Sequence, residues 1–152
     1  MTTSFADYCA TSDARDQIAA NVLEWTQMLC LSLEQNFVNE SIRRAHFFSA
    51  SGDNTEYWEN RIAEYKEGKD LYKFTINTGR KYHKIIMIDT SGSESVHAFV
   101  DKKTGELYKA ASFKAPAKGV RFDLRIIKER EFVLENADWA GGYLYKWWLT
   151  NT

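Results

Sequence analysis

The sequence predicts an α+β fold in which N-terminal helices accompany an antiparallel sheet of about four strands and a C-terminal helix. Two observations predict it: apolar residues recur every three or four positions before residue 68, and beyond it they alternate with a period of two. A chain of 152 residues, 44% of them hydrophobic, can bury one core as a single domain. Residues 1–68 are therefore assigned to a helical region, and residues 69–152 to the sheet, the C-terminal helix and a tail, together one compact unit.

The first helix is predicted by a long apolar stripe between Ser12 and Phe37. Its members are Ile18, Val22, Trp25, Leu29, Leu33 and Phe37. Ser12 or Asp13 would cap its N-terminus. Because the stripe is more apolar than a solvent-facing helix requires, we expect it either to lie across the sheet or to pair with a second copy in a homodimer.

Two shorter helical segments are predicted after this stripe. One covers about Ser41–Phe48, after which the segment SASGD interrupts the pattern. The other covers about 54–67, because Asp53 followed three positions later by Glu56 has the spacing of a capping box. Gly68 would end that helix.

Beyond the third helix, β-branched and aromatic residues alternate with polar ones, which is typical of strands with one wetter face. Tyr72, Phe74 and Ile76 would face one side, and Lys73 and Thr75 the other. Turn residues separate four predicted strands, which are LYKFTIN, KYHKIIMID, SVHAFVD and ELYKA. These segments predict an antiparallel meander.

The rest of the chain is predicted to form a loop, a helix and a closing segment. The loop KAPAKGV contains the single proline, Pro116, which cannot join a strand ladder. RIIKEREFVLENA predicts a helix over about 125–137, and Gly141–Gly142 mark the turn after it. The segment GGYLYKWWL would be either a closing strand or a docked tail.

Charge is distributed unevenly, although the net formal charge is only −1. Residues 1–65 hold four basic and ten acidic side chains, residues 66–130 hold fifteen and eight, and residues 131–152 hold one and three. The three segments thus carry −6, +7 and −2. This asymmetry indicates either different partners for the two halves or attraction between them.

The usual motifs of catalysis and cofactor binding are absent from the sequence: it has no Gly-x-Ser-x-Gly elbow and no glycine-rich phosphate loop. Cys9 and Cys30 stand apart from each other and from histidine, so neither a disulfide nor a metal site is indicated. No cofactor is expected either. The absence of a long apolar run and of a signal-peptide pattern predicts a cytosolic protein with no membrane partner. A small enzyme using His97 and Asp101 stays open as one alternative.

Basic and aromatic residues alternate along the predicted sheet and the loop after it, which favours nucleic-acid binding. Lys and Arg would neutralise phosphates while exposed rings stack on bases. The expected phosphate contacts are Lys81, Lys84, Lys114, Lys118 and Arg121, and the expected stacking rings are Tyr108 and Phe113. The plain alternative is a sheet whose lysines only face solvent while its rings face the core.

Residues 82–145 contain four motifs in a fixed order. They are a Ser-Val-His-x-Phe strand, an Asp-x-x-Thr-Gly-Asp/Glu turn, a Lys-Ala-Pro-Ala-Lys loop and a closing Ala-Asp-Trp-Ala-Gly-Gly segment. In this order they resemble a widespread family of small uncharacterised tailed-phage proteins. The resemblance implies a phage gene product in the host cytoplasm, with no established activity. The first seventy residues lie outside the resemblance and would be an addition peculiar to this member.

The predicted meander, basic loop and following helix are also similar, at the level of fold, to coactivator and whirly single-stranded-DNA-binding proteins. Fold does not dictate function, so this likeness only adds to the leading expectation of a non-catalytic protein that binds nucleic acid, single-stranded DNA above all. A second function stays open, a module that inhibits a host enzyme or defence factor through the acidic helical half or the tail YLYKWWL. The expected partners are thus nucleic acid or a host protein.

Overall fold

The computed structural model describes residues 5–145, with side chains from residue 13 onward. This part of the chain forms three α-helices and one five-stranded antiparallel sheet, which confirms the α+β class and adds one strand to the number predicted. In chain order the elements are α1 (Phe5–Ala50), α2 (Thr55–Lys66), β1 (Lys73–Thr78), β2 (Tyr82–Ile88), β3 (Glu94–Asp101), β4 (Glu106–Lys109), β5 (Phe122–Asp123), α3 (Ile127–Asn136) and a 3-10 turn (Gly142–Leu144).

The sheet is a meander in which each strand pairs with its neighbour in the sequence. Its inner face packs on α1, and the shared core contains Phe74, Ile85, Ala98, Val100 and Leu107 from the strands. The predicted alternation in β1 is confirmed, because Phe74 is buried while the flanking residues on either side are exposed. The intervening side chains of each strand point to the outer face.

Helix α1 is one continuous helix of 46 residues, about 69 Å long at 1.5 Å per residue. The prediction of a cap at Ser12 or Asp13, and of a separate helix over about Ser41–Phe48, was therefore wrong. The segment between the two predicted helices contains neither glycine nor proline, so nothing in the backbone forces an end there. The central apolar stripe lies across the sheet, with Val22, Leu29 and Leu33 fully buried. Pairing of two copies through α1 stays a prediction.

Helix α2 folds back on the C-terminal part of α1, forming a helical hairpin. The predicted capping box was wrong, because the residue before α2 is Asn54 in the left-handed conformation, without a side-chain capping bond. The predicted stop was right. Gly68 has a φ of 91°, and its amide donates to the carbonyl of Tyr65 at 3.1 Å. The guanidinium of Arg61 pairs with Asp70 at 2.6 Å and ties the hairpin to the segment before β1.

The fifth strand, β5, was missed by the sequence analysis because it is only two residues long. It pairs with β4, and the chain between them makes an isolated bridge from Ala110 to Pro116. Helix α3 lies within the predicted range, and the guanidinium of Arg130 sits 4.2 Å above the ring of Trp25 on α1.

The turn after α3 is formed by Gly141, which has a φ of 87° and is followed by the 3-10 turn. The last four residues of the predicted closing segment GGYLYKWWL, residues 146–149, lie outside the described residues. Among the helices of residues 5–145, none combines the length and apolar character that crossing a bilayer requires.

Candidate functional site

A row of four side chains crosses the outer face of the sheet. The strand register places Asn77 opposite Lys84, Lys84 opposite Phe99, and Phe99 opposite Tyr108. Because opposite residues in an antiparallel sheet point to the same face, the row brings an amide, an ammonium and two rings together. The alternation in the sequence places residues on a face, but only the register shows which of them are neighbours.

Both aromatic rings of this row pack, together with the ring of Tyr82, in a structural cluster. Phe99 is 1% exposed, although it faces away from the main core, and its ring packs edge-on against Tyr82 at 5.6 Å. Tyr82 in turn packs against Tyr108 at 6.0 Å. Burial, and then the nearby Glu106 carboxylate, raise the pKa of the Tyr108 hydroxyl above its ordinary value. These rings form a small second core, so Tyr108 offers only part of its surface for stacking.

Phe113 differs from these rings because it is 49% exposed. It lies in the loop between β4 and β5, where the Ser112 hydroxyl accepts the amide protons of Lys114 and Ala115 and the bridge to Pro116 closes the loop. The ammonium of Lys84 sits 4.4 Å from the centre of the Phe113 ring and 5.7 Å from that of Phe99. The loop therefore holds an exposed ring beside a cation of the sheet.

A cavity of about 260 Å³ opens beside Lys84, the lysine whose ammonium contacts this ring. Three of the predicted phosphate contacts, Lys81, Lys84 and Lys114, line it together. The full lining is Asn77, Gly79, Arg80, Lys81, Tyr82, Lys84, Phe99 and Lys114. Asn77 and Arg80 were not among the predicted site residues. Asn77 joins it because it lies on β1 opposite Lys84, and Arg80 joins it from the turn between β1 and β2. The turn residues Thr78, Gly79 and Arg80 were the sequence signal for that turn.

The same end of the sheet carries further positive charge on the β3–β4 turn. The ammonium of Lys102 donates to the carbonyl of Gly79 at 3.0 Å, and the amide of Lys102 donates to the carbonyl of Lys81, so the two turns lie side by side. Within residues 13–145, no ion pair involves the lysines of this cavity, Arg80 or the turn lysines. Their charge is thus not neutralised by the acidic helical half.

Two of the predicted phosphate contacts lie elsewhere. Lys118 is exposed in the β4–β5 loop but does not line the cavity. Arg121 is part-buried, and its guanidinium donates to the carbonyls of Leu144 at 2.8 Å, Gly119 at 2.9 Å and Lys118 at 3.2 Å. Arg121 thus ties the loop to the segment after α3, which leaves fewer of its donors for a ligand.

The residues of the catalytic alternative do not contact each other. The carboxylate of Asp101 accepts the amide protons of Lys103 and Thr104 in the β3–β4 turn. The Nε2 atom of His97 shares a hydrogen bond with the hydroxyl of Tyr143 at 2.8 Å. Burial lowers the pKa of His97 to about 4. No group of three or more His, Cys, Asp or Glu side chains with the arrangement of a metal site occurs in the part of the chain that the structure describes.

Comparison with known protein families gives a match over residues 5–146 to a family of unknown function, DUF7717. The chain belongs to this family. The matched region covers the helical hairpin as well as the sheet. No curated protein and no solved structure matches the chain.

Proposed function

We propose that this DUF7717 protein is a phage accessory protein that binds single-stranded nucleic acid, DNA above all, without catalysing a reaction, in the host cytoplasm. One observation carries the proposal: cations that have no ion-pair partner within residues 13–145 lie on the outer face of the sheet beside the exposed ring of the β4–β5 loop. Lys81, Lys84 and Lys114 line one cavity, and Phe113 lies against the Lys84 ammonium. The resemblance of residues 82–145 to phage proteins supports the biological setting.

The cations would act on the phosphates of the strand. When ammonium and guanidinium groups neutralise phosphates, the counterions condensed on the nucleic acid are released, and this release drives binding. Lys81, Lys84, Lys114 and Arg80 border a cavity of about 260 Å³, so several phosphates of one strand could reach them without a change of fold.

The exposed ring would act on a base. Stacking of a base on an aromatic side chain contributes roughly 1–3 kcal/mol, and it requires an unpaired base. The Lys84 ammonium lies over the Phe113 ring at 4.4 Å, and an exposed cation–π contact of this kind is worth only about 0.5–1 kcal/mol. A base can therefore replace Lys84 on the ring at little cost and leave its ammonium for a phosphate. This step favours single strands over duplexes.

The proposal is tested with the double variant Lys84→Gln, Lys114→Gln and a fluorescent single-stranded oligonucleotide. Anisotropy titrations at a series of salt concentrations should show weaker binding to several sequences alike. The slope of log affinity against log salt should become shallower by about 0.7 for each lost phosphate contact. The matched control is Lys66→Gln, Lys128→Gln, which removes two exposed charges from α2 and α3 and should behave as wild type. Equal affinity and slope for the two double variants would remove the assignment.

A second function, the inhibition of a host protein, is favoured by a different region. The tip of the helical hairpin carries four rings in contact, Phe47, Phe48, Trp58 and Tyr57, which we call the tip cluster. Successive ring centres are 5.6, 5.0 and 5.0 Å apart. Phe47 is 69% and Tyr57 56% exposed, and large exposed aromatic patches are typical of protein interfaces. Asp53, Glu56 and Glu59 beside the cluster favour a partner with a basic rim.

Capture from host lysate separates the two functions. A nucleic-acid binder should lose its partners when the lysate is treated with nuclease, whereas an inhibitor should retain one defined protein. If the tip cluster makes that contact, Phe47→Ser, Tyr57→Ser should abolish the retained band while Phe113→Ser keeps it. A retained band that is unchanged in the tip variant would exclude the tip cluster as the interface.

A further inference from the structure

A second cavity, of about 360 Å³, lies on the opposite side of β4 from the basic outer face. Tyr108 belongs to the outer row, so the next residue, Lys109, points to the other face of the sheet, where it pairs in register with the fully buried Ala98. The lining is Met87, Ser95, Val96, His97, Lys109, Ala110, Trp139, Ala140, Gly141, Leu144 and Tyr145. Its volume falls in the range of small-molecule sites, about 300–1,000 Å³.

One wall of this cavity is set by a bulge in β3. The register shifts between Ile85 and Ile86, so that Ile85 lies opposite Ala98 and Ile86 opposite Val96. His97 is the extra residue, and it turns toward the inner face, where its ring packs edge-on against Phe74 at 5.4 Å. Bulges recur where a strand must re-aim a side chain beside a binding site.

The facing wall is the turn after α3, held in place by several hydrogen bonds. The carboxylate of Asp138 accepts the amide protons of Gly142 at 2.9 Å and Tyr143 at 3.0 Å. Arg121 holds the carbonyl of Leu144. Gly141 is buried with a φ of 87°, a conformation that other residues adopt only under strain. Such a wall is fixed before any ligand arrives, which lowers the cost of binding.

The chemical groups on these walls define what could bind. Among the described residues, Lys109 is the only charged side chain in the lining, and it has no carboxylate partner. Its ammonium lies 4.8 Å from the centre of the Tyr145 ring, and Trp139 is held edge-on by Phe37 and Tyr72. The Nε2 atom of His97 is engaged by Tyr143, which leaves Nδ1 for one further hydrogen bond. A single cation, flat rings and a neutral imidazole suit a planar heteroaromatic ring that carries one anionic group.

We propose that this cavity is a binding site for a nucleoside monophosphate, with the phosphate on Lys109 and the base between Trp139, Tyr145 and His97. The site is separate from the oligonucleotide surface proposed above, because Lys109 and Tyr108 face opposite sides of β4. A free nucleotide could therefore be bound while a strand occupies the outer face.

The test is a titration of the isotope-labelled full chain, followed by amide nitrogen–proton correlation spectra. The probes are adenosine monophosphate and thymidine monophosphate, with adenosine, ribose phosphate and inorganic phosphate as partial ligands. At least one nucleotide should shift the amides of His97, Ala140 and Gly141 in a saturable way and bind more tightly than any partial ligand. Shifts confined to residues 77–84 and 113–114, or ribose phosphate binding as tightly as the nucleotides, would overturn the proposal.

Variants of the cation make the test specific. Lys109→Gln should raise the nucleotide dissociation constant about tenfold, because a charge-assisted contact to phosphate is lost. Lys109→Arg should restore most of the affinity, and Lys128→Gln is the matched control for loss of one charge elsewhere. Unchanged affinity in Lys109→Gln would exclude the site. Since oligonucleotide binding is assayed separately, a failure here leaves the outer-face proposal standing, and the reverse also holds.

Discussion

The two faces of the sheet are both partly apolar, yet they are closed in different ways. The inner face lies under α1 and shares its core with Val22, Leu29 and Leu33. Within residues 5–145 no helix covers the outer face, and its fully buried ring, Phe99, is covered by neighbouring side chains. Large rings and a neighbouring lysine can thus seal a small core without a helix, because the Lys84 ammonium lies over the rings of Phe99 and Phe113.

The contrast is sharpest between Phe99 and Phe113. Both rings lie within 6 Å of the same Lys84 ammonium, but one is buried and the other is half exposed. Contact with a cation therefore does not identify a binding residue on this face. Burial separates the ring that stabilises the fold from the ring that can meet a ligand.

Among the variants that test this contrast, Phe99→Ala should change stability the most. Removing a fully buried ring should lower the free energy of unfolding by about 3–5 kcal/mol, as in a main core, even though Phe99 faces away from α1. Denaturant unfolding followed by circular dichroism measures the loss, with Tyr108→Phe as a control that should cost less than about 1 kcal/mol. A loss below about 1 kcal/mol for Phe99→Ala would mean that the outer face has no core of its own.

The next largest effect is on the inner face, where His97 should make the free energy of unfolding depend on pH. The pKa of His97 is lowered by burial from 6.5 to about 4, against a smaller opposing effect of Asp138. The unfolded chain therefore takes up a proton more readily than the folded one. The free energy of unfolding is therefore not reduced by His97 above pH 6.5. It falls as the pH drops from 6.5 toward 4, by about 3 kcal/mol in all.

The control for this prediction is the variant His97→Asn, which lacks the titrating ring. Its free energy of unfolding should fall less than that of wild type between pH 7 and pH 4. A residual fall is expected from His83, whose pKa is also lowered, first by burial and then by Lys102. Parallel curves for wild type and His97→Asn would show that His97 does not titrate in this way.

The smallest effect on stability is expected for Phe113→Ala. An exposed loop ring should change the free energy of unfolding by no more than about 0.5 kcal/mol. Oligonucleotide affinity should fall by roughly 1–3 kcal/mol if a base stacks on this ring. Both quantities can be measured on one preparation, and Phe113→Trp should retain or improve binding. A stability loss as large as that of Phe99→Ala would erase the distinction between the two rings.

Local patterns in the sequence were sufficient for much of the fold. The change of period near residue 68 gave the boundary between helices and sheet, and the alternation around Phe74 gave the correct buried face. Gly68 and Gly141 marked real turns because both adopt positive φ, which few other residues tolerate. The patterns predicted a helix boundary between Phe37 and Ser41 where α1 continues without a break. They also missed β5, because a strand of two residues is too short to show an alternation.

The candidate sites depended on longer-range contacts. The sequence supplied Lys81, Lys84 and Lys114 as cations of one segment, and the strand register and the loop closure brought them to one cavity. Arg121 looked equivalent to them in sequence, yet its guanidinium bonds to the carbonyl of Leu144, 23 positions away. No spacing rule predicts such a bond.

By itself, the sequence determined the class of fold, the positions of most strands and the basic, aromatic character of one half of the chain. Only the tertiary structure decided that Phe99 is buried while Phe113 is exposed, and that His97 bonds to Tyr143 rather than to Asp101. The physical reason is that periodicity reports which face a side chain takes, whereas burial and hydrogen bonding depend on residues distant in the chain that fold over that face.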